Sequence, residues 1–347
     1  MASPQASFVE SVRPGCVVVL GTGGTIAGTA ADPGQHHAYR SAQLGVDALV
    51  AAVPALAQVP LETEQVAQVD SKDMSVQVWG RLWERLCHHL ARPDVAGVVV
   101  THGTDTLEET AVFLDLALGA RAAQRAVVLT AAMRPATSSQ ADGPGNLADA
   151  VAVARWSQSR GVLAVMGGQV WRGTDVRKVH GHRLEAFSGG DAPPLAQVSQ
   201  GRPHALREWP VPSPAQQQVT PDRLLDPSAW PWVEIVTSHA GASERGVRAW
   251  VAAGVQGLVV AGTGNGTVHQ ALEQALLEAQ AAGVAVWRST RCVAGGWVSG
   301  DAATQTQDEG AGDEGPDDAG DFRRSAWTPA QARVALQWQI MSRRGSA

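Results

Sequence analysis

Lysine is nearly missing from this chain. Of 27 basic residues only Lys72 and Lys178 are lysine, and the rest are arginine. Arginine keeps its proton in proteins, whereas a lysine can be tuned toward a neutral, basic amine. Base-composition bias accounts for one stray lysine, so a role for Lys178 needs the support of a motif. Tyrosine is scarcer still, with Tyr39 alone. The three cysteines, Cys16, Cys87 and Cys292, are odd in number and widely spaced. They form neither a disulfide framework nor a metal-ligand pattern, which favours a reducing compartment. No apolar run approaches the length of a membrane-spanning helix. Met1 to Gly15 carries Glu10 and Arg13 without an apolar core, so no secretory signal is expected and a cytoplasmic location is the default. A net charge of −6 offers no footprint for nucleic acid, and no Lys/Arg run suggests a membrane surface.

What is present is ordinary for a soluble enzyme: 347 residues, 44% hydrophobic and 17% charged, enough for two domains. Short β-branched runs alternate with helical patterns, as in a parallel or mixed sheet covered by helices. Strands are expected at Val17–Leu20, Val98–Val100, Val127–Thr130 and Val162–Met166. Helices are expected at Gly45–Ala52, Val76–Leu90, Leu107–Leu118 and Asn146–Ser157. The pattern lapses from Arg202 to Ser228, which reads as an interdomain linker. It resumes with strands at Val233–Val236, Leu258–Ala261 and Val284–Trp287, a helix at Val268–Ala281 and another helix opened by Thr328-Pro329. Asp301 to Asp321 is polar and acidic and reads as an exposed loop.

Two loops carry the chemistry. Gly21-Thr22-Gly23-Gly24-Thr25-Ile26-Ala27-Gly28 follows one strand, and Thr101-His102-Gly103-Thr104-Asp105-Thr106-Leu107-Glu108-Glu109-Thr110 follows another. Ligands of open α/β sheets bind outside the carboxyl ends of strands. Threonine is a strand former by preference, so its repeated use in these turns points to its hydroxyl. The first loop lacks the glycine spacing of a dinucleotide site and the lysine of a phosphate loop. In the second, Thr104 and Asp105 stand at a helix N-terminus, where they can cap the helix, receive a developing oxyanion, or do both. The pairs His36-His37, His88-His89 and His180 with His182 have no accompanying carboxylate cluster, and no metal is expected.

These residues resemble the bacterial-type L-asparaginases and their asparaginase/glutaminase relatives. The likeness runs through Thr22–Gly28, Asp70-Ser71-Lys72-Asp73-Met74, Thr101–Thr110, Ala132-Met133-Arg134-Pro135, Ser139–Pro144, Asp175-Val176-Arg177-Lys178 and Gly262-Thr263-Gly264-Asn265-Gly266. It implies a two-domain α/β fold with helices on both faces. The larger N-terminal domain (14–205) would hold a mixed sheet and the smaller C-terminal domain (230–347) a parallel one, joined by a linker (206–229). It implies hydrolysis of L-asparagine to L-aspartate and ammonia through a threonine acyl-enzyme, without cofactor or metal, in a homotetramer built as a dimer of dimers. L-Glutamine as a further substrate, or a non-catalytic amino-acid-binding protein of the same fold, are the alternatives.

By the same resemblance Thr25 is the nucleophile and Tyr39 the lid-loop tyrosine, while Thr104, Asp105 and Lys178 form a second catalytic group. Gly24, Ser71, Lys72, Gly103, Ala132 and Asn265 are the candidate substrate contacts, with Ser71 on the α-carboxylate and Asn265 reaching into a neighbouring subunit's site. Lys72 departs from the neutral residue of many relatives, and an ammonium beside the substrate's charged end would disfavour glutamine. Which group takes the nucleophile's proton is left open by the residues themselves.

Overall fold

The computed structural model describes residues 12–34, 38–209, 219–298 and 322–343. The acidic stretch at 301–321 therefore lies outside the described residues. In the first sheet β1 (Cys16–Gly23), β2 (Leu61–Val69), β3 (Val95–Thr101), β4 (Ala126–Thr130), β5 (Gly161–Met166), β6 (Gln169–Arg172), β7 (Ala196–Ser199) and β8 (Arg202–Ala205) lie in the order β8-β7-β6-β5-β4-β3-β1-β2. Strands β1 to β5 run parallel, and β6 to β8 turn back antiparallel, which makes the sheet mixed.

The alternation of side chains in β1 shows why the sheet needs two layers of helix. Val18 and Leu20 pack into one core with α2 (Val76–Leu90) and α3 (Leu107–Leu118); Val17 and Val19 pack into the other with α1 (Val46–Ala51) and α4 (Gly143–Arg155). In α2, Val78, Trp79, Leu82, Trp83 and Leu86 recur every three to four residues and form one buried face. Helices α2 and α3 have the limits expected from sequence. Helix α4 starts three residues earlier, at Gly143, because Pro144 is tolerated in a first turn where its missing N–H has no partner to lose.

The segment read as a linker is partly structured. Arg202–Ala205 pairs antiparallel with β7 as an edge strand, and α5 (Pro221–Leu225) buries Leu224 against the first core. The second sheet holds β9 (Val233–Thr237), β10 (Gly257–Gly262), β11 (Ala285–Thr290) and β12 (Arg323–Arg324), all parallel. Helices α6 (Arg245–Ala252) and α7 (Gln270–Ala281) cover one face. The last helix, α8 (Pro329–Arg343), covers the other with Ala332, Ala335 and Leu336. Its Val334, Trp338 and Met341 enter the first core beside α3, so α8 joins the two domains.

Candidate active site

The chain passes from β1 to β2 on one side and then from β2 to β3 on the other side of β1, so the strand order reverses between β1 and β3. A crevice opens at such a switch point, beyond the carboxyl ends of the diverging strands. Both threonine loops leave the sheet there. Thr22 Oγ1 donates to the Thr101 carbonyl at 2.8 Å and ties the two strand ends together. Gly24, at φ 81°, lies directly on the main chain of His102 and Gly103, where a β-carbon would collide with backbone. Ser71 is buried and closes the same corner. Its Oγ accepts the Asp105 N–H at 3.2 Å, and its carbonyl accepts the Thr106 hydroxyl at 2.7 Å.

Thr25 begins a single 3-10 turn after Gly24 and is 8% exposed. The short ribbon Thr29–Ala30 with Tyr39–Arg40 folds the chain back over this turn, leaving the Tyr39 hydroxyl 2.7 Å from Thr25 Oγ1. The second group is assembled from distant segments. Arg177–Lys178 pairs with Phe187–Ser188, and from there Lys178 Nζ donates to Thr104 Oγ1 at 2.8 Å and meets Asp105 Oδ1 at 2.5 Å. Thr104 is 5% exposed, whereas the Asp105 side chain is 54% exposed. A hydroxyl partnered by an ammonium–carboxylate pair can be polarised or relay a proton.

The carboxylate of Asp142 accepts the N–H groups of Met133 and Arg134, at 2.9 and 3.0 Å, and so shapes the turn that follows the buried Ala132. Full burial pushes His102 down to about 4, so its ring is neutral. Nδ1 lies 2.7 Å from the Gly103 carbonyl and must donate there; Nε2 then accepts from Thr110 Oγ1 at 3.0 Å. The ring is thus a rigid prop under the second loop.

Two expected substrate contacts are not drawn into this cluster. The Lys72 side chain is 62% exposed, and its ammonium pairs with Asp73, with Asp70 at 3.8 Å. Asn265 clasps the main chain of Val298, donating to its carbonyl at 2.8 Å and accepting its N–H at 3.0 Å. Among the described residues Cys16, Glu62 and Asp94 converge as a potential metal cluster, but Arg92 already pairs with both carboxylates, at 2.6 and 2.7 Å. Three contributors are not evident from sequence: Glu108 and Gln331, which bond to the Lys178 segment, and Thr328, which bonds to both of them. The spacing Thr328-x-x-Gln331 is that of a capping box and was the available signal.

The family model described as "Asparaginase, N-terminal" matches residues 16–211, and the one described as "Glutaminase/Asparaginase C-terminal domain" matches 232–345. The chain belongs to the asparaginase family. It is 37% identical over 326 residues to L-asparaginase 2 of Escherichia coli K12, covering 92% of this chain and 87% of that one. It is 36% identical over 298 residues to the glutaminase-asparaginase of Pseudomonas fluorescens biotype A, covering 85% and 80%. Among solved structures, a probable cytoplasmic L-asparaginase from Campylobacter jejuni superposes with a TM-score of 0.82 at 31% identity, covering 94% of this chain and 95% of that one. The two threonine loops therefore sit in an asparaginase framework, and no helix among the described residues is long and apolar enough to cross a membrane.

Proposed function

We propose that this chain is an amidohydrolase that converts L-asparagine to L-aspartate and ammonia through an ester on Thr25. The observation that carries the reading is the pair of buried threonine hydroxyls, each bonded to a proton-handling partner: Tyr39 on Thr25 and Lys178 on Thr104. Thr25 Oγ1 attacks the side-chain amide carbon. Its proton passes to the Tyr39 oxygen as the phenol proton passes to the departing nitrogen, which leaves as ammonia. Water then attacks the ester, releasing aspartate and restoring the threonine. In that second half Thr104, held by Lys178 and Asp105, orients the water and shares its proton. Backbone N–H groups of the loop before α3 and the Ser71 hydroxyl suit the substrate carboxylate.

Glutamine is the second reading, favoured by the glutaminase-asparaginase among the relatives. A purely ligand-sensing role would need neither proton partner. We further place the enzyme in the cytoplasm, in keeping with the C. jejuni neighbour and with three free cysteines, and as a homotetramer in which Asn265 serves a neighbouring subunit. Ammonia release from purified protein offered L-Asn, L-Gln and D-Asn side by side tests the assignment. L-Asn should be the preferred substrate and Thr25→Ala inactive; no turnover of L-Asn or L-Gln by the native protein would overturn it.

A further inference from the structure

Lys178 is held at its tip by Thr104 and Asp105, but the tip of a long flexible side chain is only as well placed as its main chain. Arg177–Lys178 is a two-residue ribbon outside both large sheets. Such a short piece needs other anchors. One is Glu108, in the first turn of α3 and three residues beyond Asp105. Its Oε2 accepts the Lys178 N–H at 2.8 Å. Its other oxygen accepts the hydroxyl of Thr328 at 3.2 Å, from the residue that opens α8 in the second domain. Enclosure pushes the Glu108 carboxyl above the ordinary glutamate value.

Thr328 is itself fixed. It forms a reciprocal capping box with Gln331, whose Oε1 accepts the Thr328 N–H at 3.1 Å while the Gln331 N–H reaches Thr328 Oγ1 at 3.2 Å. The amide end of the fully buried Gln331 donates to the carbonyls of Val176 and Thr174, at 2.9 and 3.3 Å. The segment carrying Lys178 is thereby held by polar groups of α3, at Lys178, and of α8, at Thr174 and Val176.

We propose that Glu108 is a positioning residue for hydrolysis, holding the Lys178 main chain against the start of α8 so that Nζ stays within hydrogen-bond reach of Thr104. The proposal rests on the hydrolytic reading above for its kinetic consequence, but not for its structural one. Glu108 does not touch the substrate; it acts through Lys178. A displacement of about 1 Å in a reacting group can cost on the order of 100-fold in rate.

The test compares Glu108→Ala with Glu108→Gln. The glutamine carbonyl can still accept the Lys178 N–H, and its amide can donate to Thr328 Oγ1. Glu108→Ala should lose about 30-fold or more in kcat with KM within about threefold, and Glu108→Gln should recover most of it. Because only two lysines exist, lysine labelled with 13C at the ε-carbon gives two signals, assigned through Lys72→Arg. The Lys178 signal should shift in Glu108→Ala and return in Glu108→Gln, with the Lys72 signal unmoved. A Lys178 signal unchanged in Glu108→Ala overturns the proposal, as does a kcat within threefold of native. If the native protein turns over neither amide, the hydrolytic reading fails while the labelled-lysine comparison still decides the positioning.

Discussion

Replacing Lys178 should abolish turnover while leaving the fold nearly as stable as native. Nζ touches Thr104 Oγ1 at 2.8 Å and Asp105 Oδ1 at 2.5 Å. Lys178→Met removes both contacts and leaves the Thr104 hydroxyl without a polarising group. Lys178→Arg keeps a positive charge but carries it on a wider, planar head that cannot give up its proton near neutral pH. Loss of a group that handles a proton in the transition state is typically worth 10²–10⁴-fold. At about 1.4 kcal/mol per decade, that is roughly 3–5 kcal/mol of transition-state stabilisation. The cost in stability should be far smaller, because the Asp105 side chain is 54% exposed and stays hydrated when its partner goes. Exposed or half-exposed pairs of this kind contribute about 0–1 kcal/mol. Ammonia release in steady state and urea unfolding measure the two quantities on the same samples. Both variants should lose at least about 100-fold in kcat while unfolding within about 1 kcal/mol of native. An arginine variant retaining a tenth or more of native kcat would refute a proton-handling role and leave Lys178 as a fixed charge only.

His102 makes acid stability a second test. Its folded value of about 4 lies below the ordinary 6.5, so the unfolded chain binds this proton first as pH falls. The contribution of His102 to stability should therefore be whole above pH 6.5 and fall progressively down to pH 4, by up to about 3 kcal/mol, and a folded His102→Gln variant should have a flatter profile over that window by urea titration. Lys72→Gln should leave the ratio of efficiencies on L-Asn and L-Gln within about twofold of native, since the Lys72 side chain is 62% exposed and its ammonium is engaged by Asp70 and Asp73. A larger change in that ratio, measured by parallel kcat/KM determinations, would restore the lysine to the substrate's charged end.

The sequence was most informative where structure is local. The apolar period of α2 and the strand–threonine–glycine turns after β1 and β3 are visible within a dozen residues of chain. Edge strands were harder to see. Leu61–Val69 intersperses two glutamates and two glutamines with apolar residues, because an edge has one side in water. Arg202–Ala205 contains Pro203, which argues against a central strand but is tolerated at an edge, and β8 is the last strand of its sheet. The site shows the same division. Thr25, Thr104 and Lys178 stand in motifs, Tyr39 is placed by the family resemblance, and the structure brings the four into two hydroxyl-centred groups. Glu108 reads in sequence as a first-turn acid on a helix, which is favourable there anyway. Its bonds to Lys178 and Thr328 cross 70 and 220 residues of chain, and no local period reports them.

An ester on Thr25 is tested most directly by trapping it. Purified enzyme mixed with excess L-asparagine, quenched in acid within milliseconds and digested should yield the Thr25 peptide heavier by one aspartyl group. The Thr25→Ala protein should show no modified peptide and no ammonia. Rapid ammonia release by native enzyme with no adduct at any quench time, or with the adduct on Thr104, would contradict the assignment of Thr25 as nucleophile.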